Sequence, residues 1–156
     1  RKILSARRGS KMIKVKGGYE KVDFWALDFK LIEQLKKVDS VLHPDEDMCI
    51  HCGVEGKHSP TGFHPVGMAV DLHFEASGLL VQPEAILFLL IKKWQGGIGI
   101  YTVWNNPGFH LDVGPMRTWW KKDDSGQIYT LAEYVKEKGL NEYYSKIVMP
   151  NEEGYL

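Results

Sequence analysis

Hydrophobic residues recur along this chain first at helical spacing and then at strand spacing. In VDFWALDFKLIEQLKKVDSVL, Phe24, Leu27, Leu31, Leu35 and Val38 fall near one helical face, with Asp23 ahead of them as an N-cap. That spacing predicts an amphipathic helix from Asp23 to Val38. HPDED then reads as a turn and MCIHCGV as a short buried strand. The glycines, prolines and serine of residues 53–67 mark a long irregular loop that delivers His64 to the next strand, MAVDLHF. Loops of this length inside compact domains usually carry function.

In MAVDLHF alternate residues share a face, so Ala69, Asp71 and His73 lie on one side and Val70, Leu72 and Phe74 on the other. A second helix is predicted from Gln82 to Trp94, opened by Pro83 and closed by the glycines of QGG. GIGIYTV and FHLDVGP follow as two short strands joined by a WNNPG turn, with His110 and Asp112 on one face and Leu111 and Val113 on the other. MRTWWKKDDSGQ reads as turn-rich, and YTLAEYVKEKGLNEYYSKIVM as one or two helices on the outside. The expected fold class is α+β, a small antiparallel sheet flanked by helices.

With 156 residues, 44% of them hydrophobic, the chain suffices for one sizeable core and is short for two. One domain over 1–156 is expected, with 1–18 as a basic, flexible arm and 121–156 as a C-terminal helical extension. Lysine plus arginine equals aspartate plus glutamate at 20 each, which gives no basis for a nucleic-acid or anionic-membrane footprint. The longest apolar run, AILFLLI, falls well short of the ~18 residues of a membrane span. The sequence opens at Arg1 rather than at a methionine, compatible with a segment upstream, so export is left open. A monomer is the default expectation.

The two cysteines, Cys49 and Cys52 in MCIHCG, are too few for a disulfide framework. They can be a redox pair, half of a zinc site, or two buried small residues; no second CxxC completes a four-cysteine site and no thioredoxin-like βαβ frame surrounds them. His51 and His58 nearby keep a secondary metal site in view.

The chemistry concentrates on His64, Asp71 and His110. Two imidazoles and one carboxylate are the makings of a zinc site with an open fourth position, which separates a hydrolytic metal from a structural one. If the strands carrying Asp71 and His110 pair, all three ligands converge. Taken singly each has a plainer reading: a surface histidine, a strand aspartate bonding a turn, a histidine packed beside Phe109. Their joint occurrence in HxxGxAxD and HxD frames favours the metal.

Those frames carry a resemblance. HPVGMAVDLHF, followed by GGIGIY and GFHLDVGPMRTW, resembles the zinc D-alanyl-D-alanine carboxypeptidase and murein endopeptidase family, whose fold is shared by the hedgehog signalling domain. The resemblance spans about Phe63 to Trp120. It implies Zn2+ as cofactor, His64, Asp71 and His110 as its ligands, peptides of bacterial peptidoglycan as substrate, and hydrolysis by a zinc-activated water. A periplasmic, extracellular or phage-encoded lysin setting follows from the same resemblance. A catalytically silent zinc module of this fold is the alternative.

Two family features are replaced here. Glu55 in HCGVE stands where members carry a substrate-binding arginine, and Pro107 stands where some carry a general base. Candidates for a catalytic base are therefore Asp112, His73, Glu55 and His58, with Asp112 also suited to orient a ligand histidine. Tyr101, Trp104, Trp119 and Trp120 are expected either to wall a substrate groove or to fill the core.

Overall fold

A computed structural model of the chain describes residues 14–15 and 22–148. The elements run β1 (Lys14–Val15), α1 (Phe29–Val41), β2 (Glu46–Cys52), β3 (Ala69–Ala76), β4 (Leu79–Val81), α2 (Pro83–Lys93), β5 (Gly97–Tyr101), β6 (Gly108–Asp112), β7 (Arg117–Lys121), α3 (Leu131–Glu137) and α4 (Asn141–Val148). Short 3-10 turns occupy Phe24–Ala26 and His64–Val66. The class is α+β.

The first helix starts later than its hydrophobic spacing predicts. Asp23 does cap, but it caps the 3-10 turn, accepting from the Trp25 N–H at 3.1 Å. Leu27 is extended, and Asp28 starts α1 afresh by accepting from the Lys30 N–H at 2.8 Å. Two capping aspartates five positions apart thus split one predicted helix in two. Leu31, Leu35 and Val38 remain on one buried stripe of α1.

Among the described residues seven strands form one sheet in the order β1-β2-β3-β6-β5-β7, with β4 paired to the end of β3. The sheet is mixed, a correction to the antiparallel expectation: β1–β2 and β5–β7 are parallel, the other pairs antiparallel. At one end a helix lies between β1 and β2, so the chain returns in its original direction. At the other, the β5–β6 hairpin and the turn after it reverse the chain twice, leaving β7 parallel to β5.

That last strand replaces the predicted turn-rich stretch. Its pairing with β5 is non-local, and Trp120 is driven into the core, where its ring meets Tyr129 and Tyr134 at 5.4 and 5.2 Å. A reciprocal Thr130–Glu133 capping box opens α3, which adds Leu131, Tyr134 and Val135 to the same core. Residues 121–137 are thus continuous with the core. Of the expected basic arm, Lys14 and Val15 form β1 against Cys49 and Ile50; the rest of 1–18 lies outside the described residues.

The core is the apolar face of the sheet, with Ile50, Val70, Leu72, Phe74, Ile100 and Phe109 packed among residues of α1 and α2 such as Leu35, Leu87 and Leu90. Each fully buried side chain of this kind contributes roughly 1.5–3 kcal/mol. Alternation then places Asp71, His73 and Glu75 of β3 on the opposite face. The functional residues collect there.

Candidate metal centre

Sheet register brings the first two ligands together, because Asp71 on β3 and His110 on β6 are directly opposed. Directly opposed residues hold their Cβ atoms about 4.5–5.5 Å apart, close enough to share one ion. His64 arrives on the 3-10 turn at the end of the loop. Gly67 ends that turn at φ 73°, and a Cβ there would lie 2.1 Å from the Ala26 carbonyl, so only glycine fits. The Gly67 carbonyl in turn accepts from the Asp28 N–H at 2.8 Å, tying the loop to the start of α1.

The three donor atoms form a nearly equilateral triangle. His64 Nε2 lies 3.2 Å from Asp71 Oδ1 and 3.1 Å from His110 Nδ1, which lies 3.0 Å from Asp71 Oδ1. Zinc bonds of about 2.0–2.1 Å at tetrahedral angles separate neighbouring donors by about 3.4 Å, so a slight expansion fits a metal ion. The donor set of two imidazoles and a carboxylate suits zinc and its neighbours among the divalent ions.

Each ligand is held from behind. His64 Nδ1–H donates to the Gly53 carbonyl at 2.6 Å, and His110 Nε2–H donates to Asp112 Oδ2 at 3.1 Å. Both rings are thereby fixed as tautomers whose remaining lone pair faces the triangle. The Cys52 thiol donates to the outer oxygen of Asp71 at 3.4 Å, leaving Oδ1 for the ion. Burial works against the Asp71 charge, but with no metal bound the facing His110 and His64 rings, donating to it when protonated, outweigh burial and hold the carboxyl well below the usual carboxylate range.

Asp112 is fully buried and accepts from the backbone N–H groups of Gly97 and Gly114 at 3.2 and 2.9 Å, besides His110 and Arg117. Burial raises its pKa, and the bonds from His110 and Arg117 more than reverse this, so it stays ionised. A Cβ on Gly97 would lie 2.4 Å from Asp112 Oδ2, so this carboxylate occupies the space a side chain would need. Trp94 closes the base of the arrangement, its indole N–H donating to the Asp112 carbonyl at 2.9 Å.

The triangle lies at a cleft of about 290 Å3 lined also by Phe63, Tyr101, Trp104 and Arg117. Tyr101 and Trp104 stack at 4.4 Å and form one wall. Trp119 lies 5.4 Å from the His110 ring, and its indole N–H donates to the Tyr101 hydroxyl at 3.4 Å. Burial pushes the Tyr101 phenol up, so it keeps its proton. The aromatic cluster therefore divides: Tyr101 and Trp104 line the cleft, Trp119 braces it, and Trp120 belongs to the core.

The residues expected as catalytic are placed apart from that opening. Asp112 sits behind His110, as an orienting group. Glu55 accepts from the N–H groups of Asp23 and Gly53, both at 2.7 Å, and acts as a loop clamp. His73 is buried between His51 and Glu75. None of these three lines the cleft, whereas His58 does, stacked on His64 at 3.9 Å with its Nε2–H donating to the Glu55 carbonyl.

Arg117 is the charged lining residue that sequence reading passed over. Its guanidinium grips Asp112, packs over Trp119 and Phe63 at 4.9 and 5.2 Å, and leaves 40% of the side chain exposed. Only its register on a strand not foreseen there brings it to the cleft. Cys49 and Cys52 are buried and unlinked: Cys49 stands opposite His73, and a bulge at His51 carries Cys52 to the same face, opposite Asp71. No helix among the described residues is long and apolar enough to cross a membrane. In comparisons with protein-family models, curated proteins and solved structures, the chain matches none.

Proposed function

We propose that this chain is a zinc-dependent peptidase that hydrolyses peptide bonds of bacterial peptidoglycan, in the stem or the cross-link. The observation that carries the reading is the donor triangle of His64, Asp71 and His110, with 3.0–3.2 Å sides, beside an aromatic-walled cleft. The substrate class comes from the resemblance of the HxxGxAxD and HxD segments to murein peptidases. A periplasmic, extracellular or phage-borne setting suits that substrate.

A zinc ion held there supplies a Lewis acid for the scissile carbonyl and a water of lowered pKa. The chain's own groups do the rest. Asp112, Gly53 and Cys52 orient the ligands. Tyr101, its oxygen already occupied by the Trp119 N–H, turns its own O–H towards the cleft and stabilises charge developing on the carbonyl oxygen. His58, with Nε2–H on the Glu55 carbonyl, carries its lone pair on Nδ1 and takes the proton released in the attack. Tyr101 and Trp104 exclude water from one side.

Purified protein incubated with peptidoglycan, with and without a chelator, tests this by mass spectrometry of the released muropeptides. Chelator-sensitive fragments are expected, and their masses name the bond. His110→Ala should abolish both metal retention and cleavage. Stoichiometric metal without turnover on any wall substrate would instead indicate a silent metal-binding module.

A further inference from the structure

A second cluster of ligand-type side chains lies on the same polar face, further along β3. Asp71, His73 and Glu75 alternate along that strand, so the cluster begins two residues beyond the first site. Cys49 on β2 is directly opposite His73. One donor atom each from Cys49, His73 and Glu75 lies within 4.8 Å of the other two, and His73 Nε2 is 3.1 Å from Glu75 Oε1. All three side chains are buried, and none lines the cleft.

We propose that Cys49, His73 and Glu75 form a second metal site, buried and away from the cleft, that takes zinc or a like divalent cation. Its donors are sulfur, nitrogen and oxygen, all zinc ligands in proteins. Burying a thiol, an imidazole and a carboxylate together is costly in a dry interior, and such groups persist there when paired or coordinating a metal. His73 is held as a ligand would be: its Nδ1 faces His51 Nε2, leaving Nε2 directed at Glu75. His51 shares the face of Cys49 by alternation along β2, and the bulge there brings Cys52 to that face as well, opposite Asp71.

The two cysteines of the CxxC therefore serve different clusters. Cys52 braces Asp71 at the first site, and Cys49 ligates at the second. The competing arrangement is a metal-free hydrogen-bonded chain from Glu75 through His73 to His51. It needs no sulfur, and this separates the two. The proposal does not depend on the peptidase reading.

The test uses the full chain, stripped of metal and reloaded with cobalt(II). Two equivalents are expected to bind per chain, with thiolate-to-cobalt charge-transfer absorption in the near ultraviolet. His110→Ala should bind one equivalent and keep that absorption. Cys49→Ser should bind one equivalent and lose it, while Cys52→Ser should keep it. X-ray absorption of the unsubstituted zinc form covers a Cys49→Ser variant that fails to fold: a sulfur scatterer at about 2.3 Å is expected. A single equivalent in the unsubstituted chain, zinc without sulfur, or absorption that follows Cys52 rather than Cys49 overturns the proposal.

Discussion

Arg117 and Asp112 meet in a two-pronged ion pair behind His110, with guanidinium nitrogens 2.8 and 3.1 Å from the two carboxylate oxygens. One oxygen of that carboxylate also accepts from His110 Nε2–H, so Arg117 sets the orientation of a candidate metal ligand through one intermediary. Asp112→Asn keeps the shape but loses the charge. It should weaken zinc affinity roughly 10–100-fold, measured by competition with a chromophoric chelator. Affinity unchanged by the substitution would remove Asp112 from the metal centre.

Tyr101→Phe deletes one hydroxyl at the cleft and nothing at the ligands. Turnover of a peptidoglycan fragment should fall by about 10²-fold with KM and zinc content little changed. A KM effect with kcat intact would make the tyrosine a binding group instead.

Gly67→Ala places a methyl against the Ala26 carbonyl in a left-handed conformation, where alanine is strained. A loss of about 2–3 kcal/mol is expected, or a Tm lowered by roughly 5–10 °C by calorimetry. Metal affinity should fall as well, since this turn carries His64. A variant with unchanged Tm would show that the turn can relax away from α1.

Metal retention should depend on pH with a definite sign. Burial works against a charge on His110, but hydrogen bonds to Asp112 and Asp71 outweigh it and raise the pKa above the ordinary 6.5. The protonated ring, dominant below that raised pKa, cannot bind metal. Retention should therefore be complete at alkaline pH and be lost as pH falls, beginning above the pH at which an ordinary histidine site releases its ion. Equilibrium dialysis across neutral pH reads this directly.

Much of the architecture was legible because it is local. Period-two alternation put Asp71 and His73 on one face of β3 and Val70, Leu72 and Phe74 on the other, as the structure has it. The second helix falls within one residue of its expected bounds and the β5–β6 hairpin within three, each set by proline, glycine and apolar spacing. The Asp23 helix failed because Asp28 is an equally good cap within the same amphipathic run. The RTWWK strand failed because its partner, β5, lies across a hairpin.

By itself, the sequence determined which side chains share a strand face and which residues are able to ligate a metal. Alternation and ligand chemistry are properties of short stretches, and HxxGxAxD and HxD carry both. Only the tertiary structure decided which of them meet. Register opposed Asp71 to His110, the bulge at His51 brought Cys52 to the face of Cys49 and set it against Asp71, and the pairing of β7 with β5 set Arg117 against Asp112. It also moved Asp112, Glu55 and His73 away from the cleft, because non-local pairing and burial, which no short stretch encodes, govern where a side chain ends.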